Sequence, residues 1–70
     1  MPDMYFAIIN DLIERRKAKG MTQRELAKAA NLAQPAIARM ESKTTTPQLD
    51  TLLKVAAALD CSIEIIPIIK

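Results

Sequence analysis

The sequence predicts a small all-α domain of four helices, closed by one short C-terminal β-strand. Three observations carry this. Half of the 70 residues are hydrophobic, yet only Tyr5 and Phe6 are aromatic, and 11 Ala and 7 Leu dominate the rest. Ala and Leu lose little rotamer freedom in a helix, so this composition favours helices. One Gly and four Pro leave little material for the turns of an all-β sandwich. Apolar residues then recur at helical spacing in four segments and switch to period two only after Asp60.

Asp3, following Pro2, is placed to cap the first helix, and Tyr5, Ile8, Ile9, Leu12 and Ile13 form its apolar stripe. Arg15, Arg16, Lys17 and Lys19 crowd its end, where the helix dipole favours cations. Gly20 suits the left-handed stop. Thr22 and Glu25 then read as a capping box, each side chain accepting from the other's backbone amide. Met21 and Leu26 flank that box at the staple positions. The second helix lasts about two turns, with Leu26, Ala27 and Ala30 inward and Arg24 and Lys28 outward. Asn31, the non-Gly type best suited to a left-handed turn, interrupts it.

A third helix spans Gln34 to Ser42. Pro35 fits there because it falls in the first turn, where its missing amide has no partner anyway. Ile37 and Met40 face inward; Pro35, Ala38, Arg39 and Ser42 face outward. After the polar loop from Lys43 to Thr46, Thr46 reads as a cap and Pro47 as the first residue of a fourth helix. Leu49, Leu52, Leu53, Ala56 and Leu59 form its stripe, and Asp60 ends it. Cys61, Ile63 and Ile65 alternate with Ser62 and Glu64, the pattern of a strand, and Pro67 limits its pairing. The chain thus divides into a helical domain, residues 1–60, and a C-terminal strand, residues 61–70, with no repeat and no linker.

Composition excludes much chemistry. Without His there is no imidazole base, and with one Cys, Cys61, no intrachain disulfide and no zinc site of the usual kind. No metal or other cofactor is expected. A reducing cytoplasm fits a chain without disulfides. The N-terminus lacks a basic n-region and does not read as a signal peptide. No apolar run reaches the roughly 18 residues that span a membrane, so no membrane partner is expected. Asp11 and Glu14, three apart on the first helix, read as a solvated acidic pair rather than a catalytic one, and no enzyme is expected. The net charge is only +2, but residues 21–46 carry four cations (Arg24, Lys28, Arg39, Lys43) against Glu25 and Glu41. Taken alone, that excess fits a solvated helical surface as well as a nucleic-acid face.

Two short helices joined by a tight turn around Asn31 form a helix-turn-helix unit, which lays one helix across the phosphate backbone and the next into the major groove. Residues 12–60 resemble the Cro and phage-repressor type of helix-turn-helix domain, also called the xenobiotic-response-element family. The matching residues are Arg16, Thr22-Gln23, Glu25-Leu26-Ala27, Asn31-Leu32-Ala33-Gln34, Ile37 and Glu41. They continue with Pro47, Leu49, Thr51-Leu52, Lys54-Val55-Ala56 and Ala58-Leu59, so that about fifty of the 70 residues match without a gap.

The resemblance implies roles. Gln23 corresponds to a residue that contacts phosphate, as suits a helix N-terminus. Gln34 corresponds to a base-reading position, where an amide can donate to and accept from adenine together. Pro35, Ala36 and Arg39 correspond to groove-facing positions. Pro35 and Ala36 either pack on a thymine methyl or simply permit close approach, and Arg39 suits guanine or a phosphate. Lys43 and Thr44 correspond to the loop that touches the backbone; read alone, Lys43 is equally a loop charge. The family pairs the positions of Arg16 and Glu41, and both fall on inward faces of their helices. A lone buried charge is costly, so a partly buried Arg16–Glu41 salt bridge is expected. The family usually has Gly where this chain has Asn31 and Lys43; a left-handed Lys43 would carry a strain of about 1 kcal/mol or more. Ala33 stands where the family often has a capping Ser, which leaves the register of the third helix open by one residue.

Five of the nine Ile lie in the last eight residues. A strand this apolar is a liability on a small monomer. It either folds back on its own helices or pairs, through Ile63, Ile65, Ile66 and Ile68, with the same strand of a second copy about a two-fold axis. The pairing is the expectation, and it would set two third helices about 34–36 Å apart on a pseudo-palindromic site. Such a tail also resembles, more loosely, the short single-domain regulators that act as antitoxins. The expected function is therefore a sequence-specific double-stranded-DNA-binding regulator, a repressor acting as a homodimer. The alternative is an antitoxin-like module that holds a toxin protein through its tail, with DNA binding secondary.

Overall fold

The computed structural model describes residues 2–69, with side chains from Tyr5 to Ile69. Four helices follow one another: α1 (Pro2–Ala18), α2 (Gln23–Ala29), α3 (Gln34–Ser42) and α4 (Leu49–Ala58). Their inward faces meet in one core of Ile9, Leu12, Leu26, Ala27, Ala30, Ile37, Met40, Val55, Ala56 and Leu59. The largest fully buried side chains are Ile9, Leu26, Ile37, Met40 and Val55, so every helix supplies at least one anchor. Each such side chain contributes about 1.5–3 kcal/mol by leaving water. No polar or charged residue is fully buried among those described.

The four helices share one ending. Gly20 (φ 70°), Asn31 (φ 57°), Lys43 (φ 61°) and Asp60 (φ 60°) each take the left-handed conformation just past a helix. The next amide then reaches back five residues: Met21 to the Arg16 carbonyl at 3.1 Å, Leu32 to Ala27 at 2.8 Å, Thr44 to Arg39 at 3.3 Å, Cys61 to Ala56 at 2.9 Å. This is the Schellman closure, which satisfies carbonyls that the helix itself leaves open. Met21, Leu32 and Cys61 also pack against the core, so three of the four closures are anchored by an apolar contact. Only Gly20 adopts the conformation free of a Cβ penalty.

Local signals read from the sequence hold at α2 and α3. Thr22 Oγ1 accepts from the Glu25 amide at 3.0 Å, and Glu25 Oε1 accepts from the Thr22 amide at 2.8 Å, completing the capping box. Helix α3 begins at Gln34 behind an Ala33 that offers no side-chain cap, with Pro35 in the first turn.

Four expectations need correcting. Helix α1 opens at Pro2, so Asp3 lies inside the first turn and the cap position falls on Met1, outside the described residues. Helix α4 begins at Leu49 rather than Pro47: Gln48 is still extended (φ −71°, ψ 158°), and its carbonyl takes the first helical bond, from Leu52, at 3.1 Å. The α4 stripe is in part the one expected: Ala56 and Leu59 are buried and Leu52 packs on the core, but Val55 replaces Leu49 and Leu53. Val55, Ala56 and Leu59 are buried, whereas Leu49 and Leu53 are 64% and 44% exposed. A stripe through Val55 and Leu59 turns the Leu49–Leu53 edge away from the core, because positions four apart share a face and Val55 is two residues on. Lastly, residues 61–69 form no strand. A strand needs a neighbour to take its amides and carbonyls, and within one chain no such neighbour is present among the described residues. Instead Cys61 bonds back to α4, Ile63 packs on the core, and Ile65, Ile66, Ile68 and Ile69 stand out into solvent.

Candidate nucleic-acid interface

Helices α2 and α3 pack on each other across the turn at Asn31, with Leu26, Ala27 and Ala30 facing Ile37 and Met40 in the core. Burying Ile37 and Met40 fixes the rotation of α3 and turns its other side to solvent. Gln34, Pro35 and Arg39 are exposed there, and Ala36 and Ala38 are half-buried beside them. The outer face of α3 is thus an amide, three small residues and a guanidinium, low enough in profile to approach a surface closely. Arg39 makes no ion pair among the described residues, so its five donors remain available. Arg24 and Lys28, four apart on α2, line a shallow cleft together with Gln34 and place two cations beside the start of α3.

Beneath this face lies a polar network. Arg16 donates through Nε to Glu41 Oε2 at 2.7 Å and through Nη2 to Glu41 Oε1 at 2.9 Å. Its Nη1 donates to the Met21 carbonyl at 2.7 Å. The two side chains are only 12% and 7% exposed. This fork-to-fork pairing ties the end of α1 to the end of α3 and holds the loop before α2. Gln23 joins it, donating from Nε2 to Glu41 Oε1 at 3.0 Å. One N–H of its amide is therefore turned inward, toward the ion pair; the second N–H is the donor it has left, and its carbonyl oxygen can only accept. The spacing of Arg16 and Glu41 from their apolar neighbours announced the pair; nothing in the sequence announced Gln23 as its third member.

The loop after α3 is also held from an unexpected side. Thr44 and Ser42 hydroxyls lie 3.1 Å apart, and both bond the Arg39 carbonyl. The left-handed Lys43 lays its ammonium over the Phe6 ring, 5.7 Å from the centroid. Beside it, Tyr5 Oη donates to the Thr45 carbonyl at 2.8 Å. The chain's two aromatics thus brace this loop, a role hidden in the sequence because the partners are some forty residues away. On the far side of the domain, Asp11 pairs with Arg15 at 3.0 Å as an exposed i, i+4 bridge. Lys19 pairs with Asp60 at 2.6 Å, and that hydrogen bond and charge hold the Asp60 carboxyl below its ordinary 3.8. No described helix is long and apolar enough to cross a membrane.

Comparisons with known proteins agree with this geometry. The chain is 42% identical over 62 residues to an uncharacterised HTH-type transcriptional regulator of Haemophilus influenzae, a match covering 89% of this chain and 63% of the relative. It is 40% identical over 60 residues to another of Sinorhizobium fredii, covering 86% of this chain and 31% of that one. The chain therefore spans less than two thirds of the length of these curated relatives. Among solved structures it resembles a chain of a toxin–antitoxin module from Streptococcus pneumoniae, with a TM-score of 0.79 and 47% identity over 94% of this chain and 72% of that one. The helix-turn-helix family model matches residues 12–66, from the middle of α1 through α4 and into the tail. On that match, and on the α2–turn–α3 unit it spans, the chain belongs to the helix-turn-helix family of Cro/C1-type DNA-binding regulators.

Proposed function

We propose that the protein is a repressor that binds a pseudo-palindromic duplex site as a homodimer, with α3 in the major groove of each half-site. The observation that carries this is the exposed face of α3, where Gln34, Pro35 and Arg39 stand clear of the core with the half-buried Ala36 beside them. Gln34 reads an adenine edge, Arg39 takes guanine or a nearby phosphate, and Pro35 and Ala36 allow close approach. Gln23 at the start of α2 and the loop at Lys43 and Thr44 meet the sugar–phosphate backbone. Control of transcription, rather than catalysis, is the activity, exercised in the cytoplasm.

The second copy is assigned to the tail. Ile65, Ile66, Ile68 and Ile69 are 74–100% exposed, more apolar surface than an isolated chain keeps in water. Pairing residues 61–70 between copies would give their backbone groups partners and cover these side chains. Ile63, already packed on its own core, would then be the root of the ribbon rather than part of its face.

Fluorescence anisotropy against a selected site and a random duplex, at two salt concentrations, tests the DNA reading. Affinity should fall steeply with salt. Arg39→Ala should relax sequence preference, and Gln23→Ala should weaken all sequences alike. Wild-type-like binding by both variants would refute the docking. Light scattering of a chain truncated after Asp60 tests the dimer, which fails if the shortened chain keeps a dimer mass.

A second reading is favoured by the likeness to the Streptococcus pneumoniae module. In it the exposed Ile cluster holds a toxin protein and DNA binding is secondary. Co-purification with the product of an adjacent gene, lost on truncation after Asp60, would support it. Absence of binding to any duplex would make it the primary function.

A further inference from the structure

We infer that Tyr5 and Phe6 are positioning residues for DNA binding, acting through the loop that follows α3. This rests on the reading that the Lys43–Thr44 loop meets the phosphate backbone. Two contacts reach that loop from the amino end of α1, and a third joins the residues that make them. Tyr5 Oη donates to the Thr45 carbonyl at 2.8 Å. The Lys43 ammonium lies over Phe6, 5.7 Å from the ring centre. The two rings lean on each other, 5.5 Å apart and tilted by 47°.

The loop has reason to need a brace. Lys43 holds a left-handed conformation (φ 61°) that a side chain disfavours, and the stacking of its own ammonium on an aromatic face offsets that strain. Thr44 is exposed, and Thr45 is followed by a stretch without regular structure up to Gln48. Without the clamp, ordering this segment against a duplex would draw on binding free energy. With it, the loop is ordered beforehand. The arrangement also gives Lys43 a different part from that of a phosphate ligand. Its charge is engaged by Phe6, and it serves the interface by fixing the backbone on which Thr44 is carried.

The test is anisotropy on the full chain with a selected duplex and a random duplex, together with a thermal melt. Tyr5→Phe removes one hydroxyl, and Phe6→Leu removes the aromatic face while keeping bulk. Each should weaken binding to both duplexes about 3- to 10-fold, the range of one net hydrogen bond or one cation–π contact, with the chain still folded at assay temperature. Phe6→Trp should restore binding to within about two-fold, which a role in packing volume alone would not predict. Lys43→Gln should weaken binding without lowering the slope of log affinity against log salt; a slope reduced by about 0.9 would place its ammonium on a phosphate. Wild-type affinity in Tyr5→Phe and Phe6→Leu, or a Phe6→Trp as weak as Phe6→Leu, would overturn the inference. If the wild type binds neither duplex, the DNA reading has failed and the positioning role falls with it.

Discussion

Removing one side of the Arg16–Glu41 pair should cost more than removing both. In Glu41→Leu the guanidinium keeps a single partner, the Met21 carbonyl, at a place where its side chain is 12% exposed, and Gln23 loses its acceptor. In Arg16→Met the carboxylate keeps only the Gln23 amide. Breaking a buried pair from one side costs about 3–5 kcal/mol; the remaining bonds and residual exposure place both single variants at the lower end, about 3 kcal/mol. A 70-residue domain has on the order of 3–10 kcal/mol in total, so either change consumes a large share and lowers the melting midpoint by roughly 12–24 °C. The double variant replaces the ions with apolar bulk and should lose less than either single, making the coupling larger than about 3 kcal/mol. Urea denaturation followed by far-ultraviolet circular dichroism, at one protein concentration for all four proteins, measures the cycle. A double variant whose loss equals the sum of the singles within about 0.5 kcal/mol would refute the argument.

Three further outcomes follow from local geometry. Thr22→Ala removes the acceptor for the Glu25 amide and should cost about 1 kcal/mol, read as a midpoint lower by roughly 4–8 °C; an unchanged melt would mean the capping box is idle. Asn31→Ala places a methyl side chain at φ 57° and should destabilise by about 1 kcal/mol, whereas Asn31→Gly should be neutral or stabilising; equal melts for the two would contradict a left-handed residue there. The Asp60 carboxyl, depressed by the Lys19 hydrogen bond and charge, should titrate below 3.8 in an NMR pH series and return toward it in Lys19→Met. Because its folded value is the lower one, any stability it lends is present at neutral pH and is lost only as pH falls below about 4. A titration unaffected by Lys19→Met would remove the basis for this.

What could be read from the sequence were features whose cause is local. The capping box needs two residues three apart, the turn at Asn31 needs one residue of the right type, and the Arg16–Glu41 pair follows from charges on apolar stripes. Other features that depend on distant partners, with no charge on an apolar stripe to announce them, were hidden. Whether Leu49 and Leu53 or Val55 join Ala56 and Leu59 in the core is decided by what the other helices present to α4, since either choice is helically spaced. The Ile alternation after Cys61 is a strand pattern, but a pattern does not supply the neighbour that a strand requires. On α3, the outward placement of Gln34 and Arg39 was legible. The inward turn of Gln23 and the bracing of Lys43 were not, because each depends on a side chain from another helix.

The four identical helix endings bear on how long a molecule of this protein lasts. Asn31, Lys43 and Asp60 each hold a backbone conformation that glycine would hold without a Cβ penalty, a penalty of about 1 kcal/mol for a side chain like that of Lys43 and smaller for Asn and Asp. Asn31 and Asp60 both lie outside helix α3. Since 1.4 kcal/mol is a factor of ten in the unfolded population, even a few tenths of a kcal/mol at these positions shifts that population measurably, less whatever the Lys19–Asp60 contact contributes. Where cellular proteases attack the unfolded form, lifetime follows that population. The turns between helices are therefore a place where persistence could be set, in either direction, while the exposed face of α3 stays the same.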